Sequence, residues 1–138
     1  MVDNELLQRK LVDLDTFLAQ VSEYRVLTLE QYHADWKVQR IVERTLHMAI
    51  ETCIDVAGHV LADRGLGAPT TYAESFTLLG RHGLLPRELA ESLARMTGFR
   101  NILVHEYTAV DANVVLRILR KDLGDLERFH AAARAWAG

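Results

Sequence analysis

Residues suited to phosphate chemistry cluster near position 100 of this 138-residue chain, at Arg100, Asn101 and His105. The unperturbed pKa of histidine lies near neutrality, so its ring can take or give a proton during a reaction. The planar guanidinium of arginine can hold a phosphate by two hydrogen bonds and stabilise the charge that grows on it. Asparagine adds a neutral donor and acceptor. Because RNA carries its own nucleophile, the 2′-hydroxyl, such residues could cleave RNA without a metal ion and leave a 2′,3′-cyclic phosphate.

The helical spacing of these residues limits how they can meet. Asn101 and His105 are four apart and share a helix face, whereas Arg100 and His105 are five apart and lie about 140° apart around an ideal helix. A single straight helix therefore does not point Arg100 and His105 at the same spot. We expect them to converge from the two flanks of a groove or across a two-fold axis. Tyr107, two residues beyond His105, is predicted to lie where this helix ends.

The same side chains also have purely structural interpretations. Asn101 can bridge helices, His105 can be a hydrogen-bonded core residue, and a tyrosine can bury its ring while its hydroxyl reaches water. The apolar residues between them, Phe99, Leu103 and Val104, are predicted to anchor the helix while the polar residues face a groove. Spacing alone leaves the catalytic and the structural interpretations open.

Motifs for other kinds of chemistry are missing from the sequence. The Gly-Leu-Gly stretch at 65–67 lacks the later glycine, the lysine and the preceding strand of a phosphate-binding loop. Neither His-Glu-x-x-His nor Cys-x-x-Cys occurs, and the six histidines show no paired ligand spacing within one segment. The lone cysteine, Cys53, falls on an apolar helix stripe, which predicts a buried thiol. We expect neither a metal nor a cofactor, a metal site assembled across helices being the one alternative left open.

The charge balance restricts how the chain could bind nucleic acid. The formal net charge is −3, whereas nucleic-acid binders usually carry a basic excess because phosphate contacts supply much of the affinity. Any positive charge used on RNA must therefore be local. The segment 81–100 is the candidate, since four arginines there outnumber two glutamates; these are Arg81, Arg87, Arg95 and Arg100 against Glu88 and Glu91. A solvated helix face explains the same pattern.

Composition and length predict one domain over residues 1–138. Hydrophobic residues make up 49% of the chain and charged residues 25%, which is enough to bury a core. The N-terminal stretch lacks the apolar region of a signal peptide, and no stretch approaches the roughly 18 uninterrupted apolar residues of a membrane span. We therefore expect a cytoplasmic protein without a membrane segment.

Hydrophobic periodicity predicts an all-α fold, an up-and-down bundle of four long helices plus one short helix. The first helix covers 3–24, with leucines and a valine at alternating steps of four and three. The second runs from Leu29 to Arg64, either as one helix or as two joined by a kink at Gly58. Arg44, Asp55 and His59 share one broad flank of it and could orient a site.

The remaining helices are predicted from their caps. The short helix covers 72–82, with Thr71 and Glu74 as a capping box and Gly83 as the C-terminal cap. The next begins with Pro86 in its first turn and continues to about Tyr107. Asp111 caps the last helix, 112–136, whose buried side carries four residues: Val115, Leu119, Leu123 and Leu126.

The pattern Arg-x4-His-x-Tyr, here Arg100, His105 and Tyr107, resembles the signature of HepT-type toxins, a branch of the HEPN superfamily. A polar residue directly after the arginine, as Asn101 is, also fits that superfamily. Two further stretches resemble the same family in content and order: IVERTLHMAIETCIDVAGHVL at 41–61 and PTTYAESFTLLGRHGLLPREL at 69–89.

The resemblance implies a HEPN-like helical bundle that forms homodimers, with the motifs of both subunits lining a cleft. It implies metal-independent ribonuclease activity toward an RNA substrate, with Arg100, Asn101 and His105 as catalytic residues. The implied partner is an MntA-like minimal nucleotidyltransferase antitoxin that transfers AMP to Tyr107. The added AMP would block RNA sterically and compete for Arg100. The alternative is a non-catalytic HEPN dimer that binds the nucleotidyltransferase or RNA without cutting.

Overall fold

The computed structural model describes residues 4–137, and these residues form helices joined by short loops. Seven α-helices follow one another in the described part of the chain: α1 (Asn4–Ser22), α2 (Leu29–Ala34), α3 (Trp36–Arg64), α4 (Tyr72–Arg81), α5 (Arg87–His105), α6 (Ala112–Arg117) and α7 (Leu123–Trp136). The described residues contain no strand, which confirms the predicted all-α class. Four long helical stretches and the short helix α4 are present as predicted, and α2 is an additional short helix ahead of α3.

Helix α3 is central because α1, α4, α5 and α7 all pack against it. Its buried face includes Leu46, Ile50, Cys53 and Val60, and the prediction of a buried Cys53 is confirmed. Burial raises the pKa of this thiol far above its ordinary value, so it stays protonated. Helix α1 supplies a matching stripe, all of it buried as its spacing requires: Leu7, Leu11, Leu14, Leu18 and Val21.

The predicted helix from Leu29 to Arg64 is broken at Asp35 and not at Gly58. Asp35 has an extended backbone, and its carboxylate accepts hydrogen bonds from the backbone of the first turn of α3, which is the usual way an aspartate starts a helix. The corner is fixed by Gln39, whose side-chain amide donates to the carbonyl of Tyr32 at 2.8 Å. Through Gly58 the helix continues to Arg64, because a glycine weakens a helix without necessarily bending it.

Helices α4 and α5 approach each other closely at a glycine. A Cβ placed on Gly80 would lie 2.7 Å from the Cβ of buried Ala90, so only glycine fits without a shift. The predicted caps of α4 are present in part. Thr71 accepts from the backbone of Glu74, but the Glu74 carboxylate is bound by the Thr70 hydroxyl. Beyond the helix Gly83 adopts a left-handed φ of 77°, as expected after a helix C-terminus.

The C-terminal stretch 112–136 is helical throughout and begins at the predicted cap, Asp111, which accepts from the backbone of Asn113. It is not uniform, since a π-helical segment, Ile118–Asp122, separates α6 from α7. The four residues predicted for its inner side are all buried. Within residues 4–137, no helix combines the length and apolar character needed to cross a membrane.

Candidate functional site

A large cavity lies between α3, the start of α4 and the end of α5. Its volume is about 990 Å³. Arg100, Asn101 and His105 all line it from α5. One chain therefore brings Arg100 and His105 to one cavity, both from α5. No second subunit is required to explain their angular separation.

Arg100 is held in the wall of this cavity and is only 8% exposed. Its Nη2 donates to Oε1 of Glu51 on α3 at 2.7 Å, and its Nη1 donates to Oδ1 of Asn101 at 3.0 Å. The guanidinium carbon lies 4.7 Å from the ring centre of Tyr72 on α4, within the range of a cation–π contact. The hydrogen bond to Glu51 raises the pKa of Arg100, so the group stays cationic. Three elements thus fix one arginine.

One donor of this arginine is not used by the protein. The Nε atom of Arg100 is buried and has no hydrogen-bond partner among the described residues. A buried donor without a partner is costly, and such groups in native structures call for an explanation. A ligand oxygen that reached this side of the guanidinium would satisfy it, and phosphate oxygens suit arginine well.

The other motif residues on the cavity wall are accessible. Asn101 and His105 are exposed, as is His59 on α3. Asp55, one turn before His59, also lines the cavity, and its carboxylate pairs with Lys10 of α1 at 3.1 Å. That pairing offsets a negative charge where a polyanion would otherwise be repelled. Two residues of the broad flank predicted on α3, Asp55 and His59, therefore do face the site.

Gly58 has a different role from the predicted kink. It lines the cavity, and no atom lies within 4 Å of a Cβ built on it. The missing side chain leaves the space between Asp55 and His59 open, so Gly58 contributes to the width of the cavity.

Tyr107 does not line this cavity. It lies in a 3-10 turn, Tyr107–Ala109, directly after α5, which ends two residues earlier than predicted. The residue is 71% exposed and borders a separate groove of about 360 Å³. The residues that line this second groove, called the Tyr107 groove below, come from α3, the end of α5 and the 3-10 turn: Arg40, Glu43, Arg44, His47, Leu103, Val104 and Tyr107.

The apolar residues of the motif divide between core and groove. Phe99 is buried and Leu103 packs partly against the core, as predicted. Val104 is half-buried, does not join the core cluster and lines the Tyr107 groove. The prediction that Val104 anchors the helix is therefore wrong, because its position on α5 turns it toward the surface.

The arginines of segment 81–100 do not form one basic patch. Arg81 and Arg87 line a groove between α4 and α5, and Arg87 pairs with Glu91 at 3.1 Å. Arg95 lines a different groove, against the π-helical segment. Only Arg100 of the four reaches the large cavity. The predicted basic patch rested on the number of arginines along the chain. In the folded protein, these arginines lie on different faces of α4 and α5.

Two residues that hold Arg100, Glu51 and Tyr72, were not predicted. Glu51, Asp55 and His59 are spaced four residues apart, which places them on one face of α3. This spacing could have indicated from the sequence that Glu51 lies near the site. Tyr72 carried no such signal, since it follows a loop and only the packing of α4 brings it over the guanidinium. No group of three or more metal-ligating side chains is found among residues 4–137.

Comparison with known proteins identifies the family of the chain. The sequence profile of a family described as "Ribonuclease HepT-like" matches residues 14–133. The chain is 35% identical over 99 residues to an "mRNA nuclease HepT" of Shewanella oneidensis, covering 72% of this chain and 74% of that protein. It is 31% identical over 114 residues to a "tRNA nuclease HepT" of Aphanizomenon flos-aquae, covering 83% of this chain and 78% of that protein.

A solved structure places the fold in the same class. The tri-AMPylated HEPN toxin of Shewanella oneidensis, determined in complex with an MNT antitoxin, matches with a TM-score of 0.86 and 29% identity. The match covers 98% of this chain and 99% of that one. The helical bundle is thus that of the HEPN toxins. More narrowly, the chain belongs to the ribonuclease HepT-like family, which confirms the resemblance seen in the motif.

Proposed function

We propose that this chain is the toxin of a toxin–antitoxin pair and cleaves RNA in the cavity lined by Arg100, Asn101 and His105. The observation that carries the proposal is that all three motif residues line one cavity, with a buried, fixed and cationic arginine in its wall. The family match and the two relatives named as nucleases support the reaction class. Those relatives are named for mRNA and tRNA, so the proposed substrate is RNA without a narrower class.

In the proposed reaction the 2′-oxygen of RNA attacks the adjacent phosphorus and the bond from phosphorus to the 5′-oxygen breaks. His105 takes the proton of the 2′-hydroxyl, and a proton from the histidine goes to the leaving 5′-oxygen, giving a 2′,3′-cyclic phosphate. Arg100, which lines the cavity, stabilises the negative charge that develops on the phosphoryl oxygens. Asn101, which accepts from Arg100, orients the guanidinium and the substrate.

We propose that a nucleotidyltransferase partner neutralises the toxin by adenylylating Tyr107. The phenol oxygen attacks the α-phosphorus of ATP, and the bond between that phosphorus and the oxygen bridging to the β-phosphate breaks. Pyrophosphate leaves, and the phenol proton is released to a base or solvent. The 71% exposure of Tyr107 supports its access to a partner enzyme. The solved toxin that carries AMP and is bound to its antitoxin supports the class of partner.

The proposal includes a cytoplasmic homodimer built from single domains of residues 1–138. The cavity is open, with Asn101 and His105 exposed at its edge, so a second copy could add its own motif to a shared cleft. Light scattering of the purified protein tests the dimer, and a monomer at cellular concentrations would rule it out.

The activity is tested with purified protein, RNA and EDTA. Wild type should cleave the RNA and leave 2′,3′-cyclic ends, whereas Arg100→Ala and His105→Ala should not. His82→Ala removes an exposed histidine outside the cavity and serves as the matched control. Intact RNA after incubation with wild type, or equal cleavage by the His105 variant, would reject the mechanism and favour a binding module that does not cut.

A further inference from the structure

The Tyr107 groove concentrates basic side chains on one face of α3. Arg40, Arg44 and His47 are spaced by four and three residues, so they follow one another along the groove. Arg40 is partly neutralised by Glu43, whose carboxylate lies 3.3 Å from its Nη1. Arg44, by contrast, takes part in none of the ion pairs found among residues 4–137.

Arg44 contacts His47 and pairs with no acid among residues 4–137. Nη1 of Arg44 lies 3.1 Å from Nδ1 of His47. Burial and, next, the Arg44 charge lower the pKa of His47. Arginine only donates, so Nδ1 of His47 accepts from Arg44. An anion placed beside Arg44 would accept from the guanidinium donors that His47 does not use. Leu103 and Val104 form an apolar wall beside them, which suits a ribose or a base.

We propose that the Tyr107 groove is the binding site for the nucleotide joined to Tyr107, with Arg44 holding its phosphodiester. This inference rests on the proposed adenylylation of Tyr107. The phosphate would be bonded directly to the phenol oxygen, so it would lie beside the side chains that border the same groove as the ring. A volume of about 360 Å³ lies at the lower end of the range of small-molecule sites, so the groove holds one nucleotide and further units would extend beyond it.

The site proposed for the nucleotide is separate from the large cavity, but a chain of side-chain contacts links the two. His47 Nε2 lies 3.7 Å from Oε1 of Glu51, the same oxygen that accepts from Arg100. A nucleotide in the groove would therefore act on Arg100 through His47 and Glu51 and would not bind the arginine itself. This differs from direct competition for Arg100, which the family resemblance had suggested.

Protection of the linked AMP from a phosphodiesterase tests the inference. Wild type and Arg44→Gln are adenylylated by a MntA-like nucleotidyltransferase and treated with the phosphodiesterase, and intact mass follows the release of the AMP bonded to Tyr107. Arg44→Gln should release it about fivefold faster, since a partly exposed charge-assisted contact is lost. Arg44→Lys, which keeps the charge, should release it at a rate nearer wild type. Arg9→Gln on the exposed side of α1 is the matched control and should match wild type.

The outcomes separate this inference from the function on which it rests. Wild type that never acquires AMP at Tyr107 would overturn the proposed regulation and this inference together. AMP that is present but released equally fast from wild type and Arg44→Gln would overturn only the inference.

A further arm distinguishes linked AMP from the phosphates of RNA. RNA binding is measured without AMP in the His105→Ala background, where cleavage is blocked. Arg44→Gln should change RNA affinity less than it changes AMP release. Weaker RNA binding together with unchanged AMP release would make the groove an RNA subsite and overturn the proposal.

Discussion

Nη2 of Arg100 donates to Oε1 of Glu51 across the interface between α5 and α3, at 2.7 Å. This bond joins two residues that lie 49 positions apart in the chain. It fixes the direction of a guanidinium that is otherwise free to rotate on a long side chain, and it leaves Nε facing no protein acceptor among the described residues. Fixing a charged group before the substrate arrives is what electrostatic catalysis requires.

Glu51 is expected to position Arg100 for the reaction. Glu51→Ala should lower kcat for RNA cleavage by about tenfold, with a smaller change in KM, because a misplaced guanidinium stabilises the transition state less than it binds RNA. Glu51→Gln keeps an acceptor oxygen and should recover part of the loss. Glu23→Ala, at an exposed position, is the control. A purely structural role would be indicated if the Glu51 variants lost stability in urea while kcat and KM changed by similar factors.

Tyr72 is expected to act through its ring and not through its hydroxyl. The ring lies under the Arg100 guanidinium, a contact worth about 1 kcal/mol. Tyr72→Phe should therefore cleave RNA as wild type does, whereas Tyr72→Ala should lose roughly fivefold in kcat/KM. Steady-state kinetics on one RNA substrate measures both. Equal losses in the two variants would instead assign the effect to the hydroxyl.

The close approach of α4 and α5 at Gly80 should make that glycine hard to replace. Gly80→Ala places a methyl 2.7 Å from the Cβ of Ala90, and such overpacking costs about 1–3 kcal/mol of unfolding free energy. Gly124→Ala, where no atom lies within 4 Å, should be neutral or stabilising by up to about 1 kcal/mol. Urea unfolding of both variants measures the difference. An unchanged midpoint for Gly80→Ala would mean that the two helices separate at little cost.

His47 should make the folded protein sensitive to mild acid. Its pKa in the folded state lies below the ordinary 6.5, first through burial and then through Arg44. As the pH falls through 6.5, the unfolded chain gains a proton that the folded chain takes up only at lower pH, so stability decreases over that window. The charged and titratable groups around the ring are Arg40, Glu43, Arg44, Glu51, Arg100 and Tyr107.

Comparison with His47→Gln isolates this effect. Between about pH 7.5 and pH 5 wild type should lose more unfolding free energy than the variant, because glutamine does not titrate. Urea unfolding at the two pH values gives the comparison. A wild type that gained stability relative to His47→Gln at the lower pH would reverse the sign and contradict the interpretation.

Much of the fold could be predicted because helical periodicity and capping are local. The buried stripe of α1, the Asp111 cap and the inner face of the last helix are all present as predicted. The break at Asp35 was missed because the apolar pattern continues across it, so only the cap and the contacts of Tyr32 reveal the corner. The π-helical segment was missed for a similar reason, since no residue type marks it.

The sequence by itself determined the helices, the family and the set of residues that could act on RNA. The tertiary structure decided how those residues are used, because sites are built from groups that lie far apart along the chain. It placed Arg100 and His105 on one cavity, set Glu51 and Tyr72 around the arginine, and separated Tyr107 into its own groove. Spacing along one helix gives only angles around that helix, whereas the neighbours across a groove depend on how the helices pack.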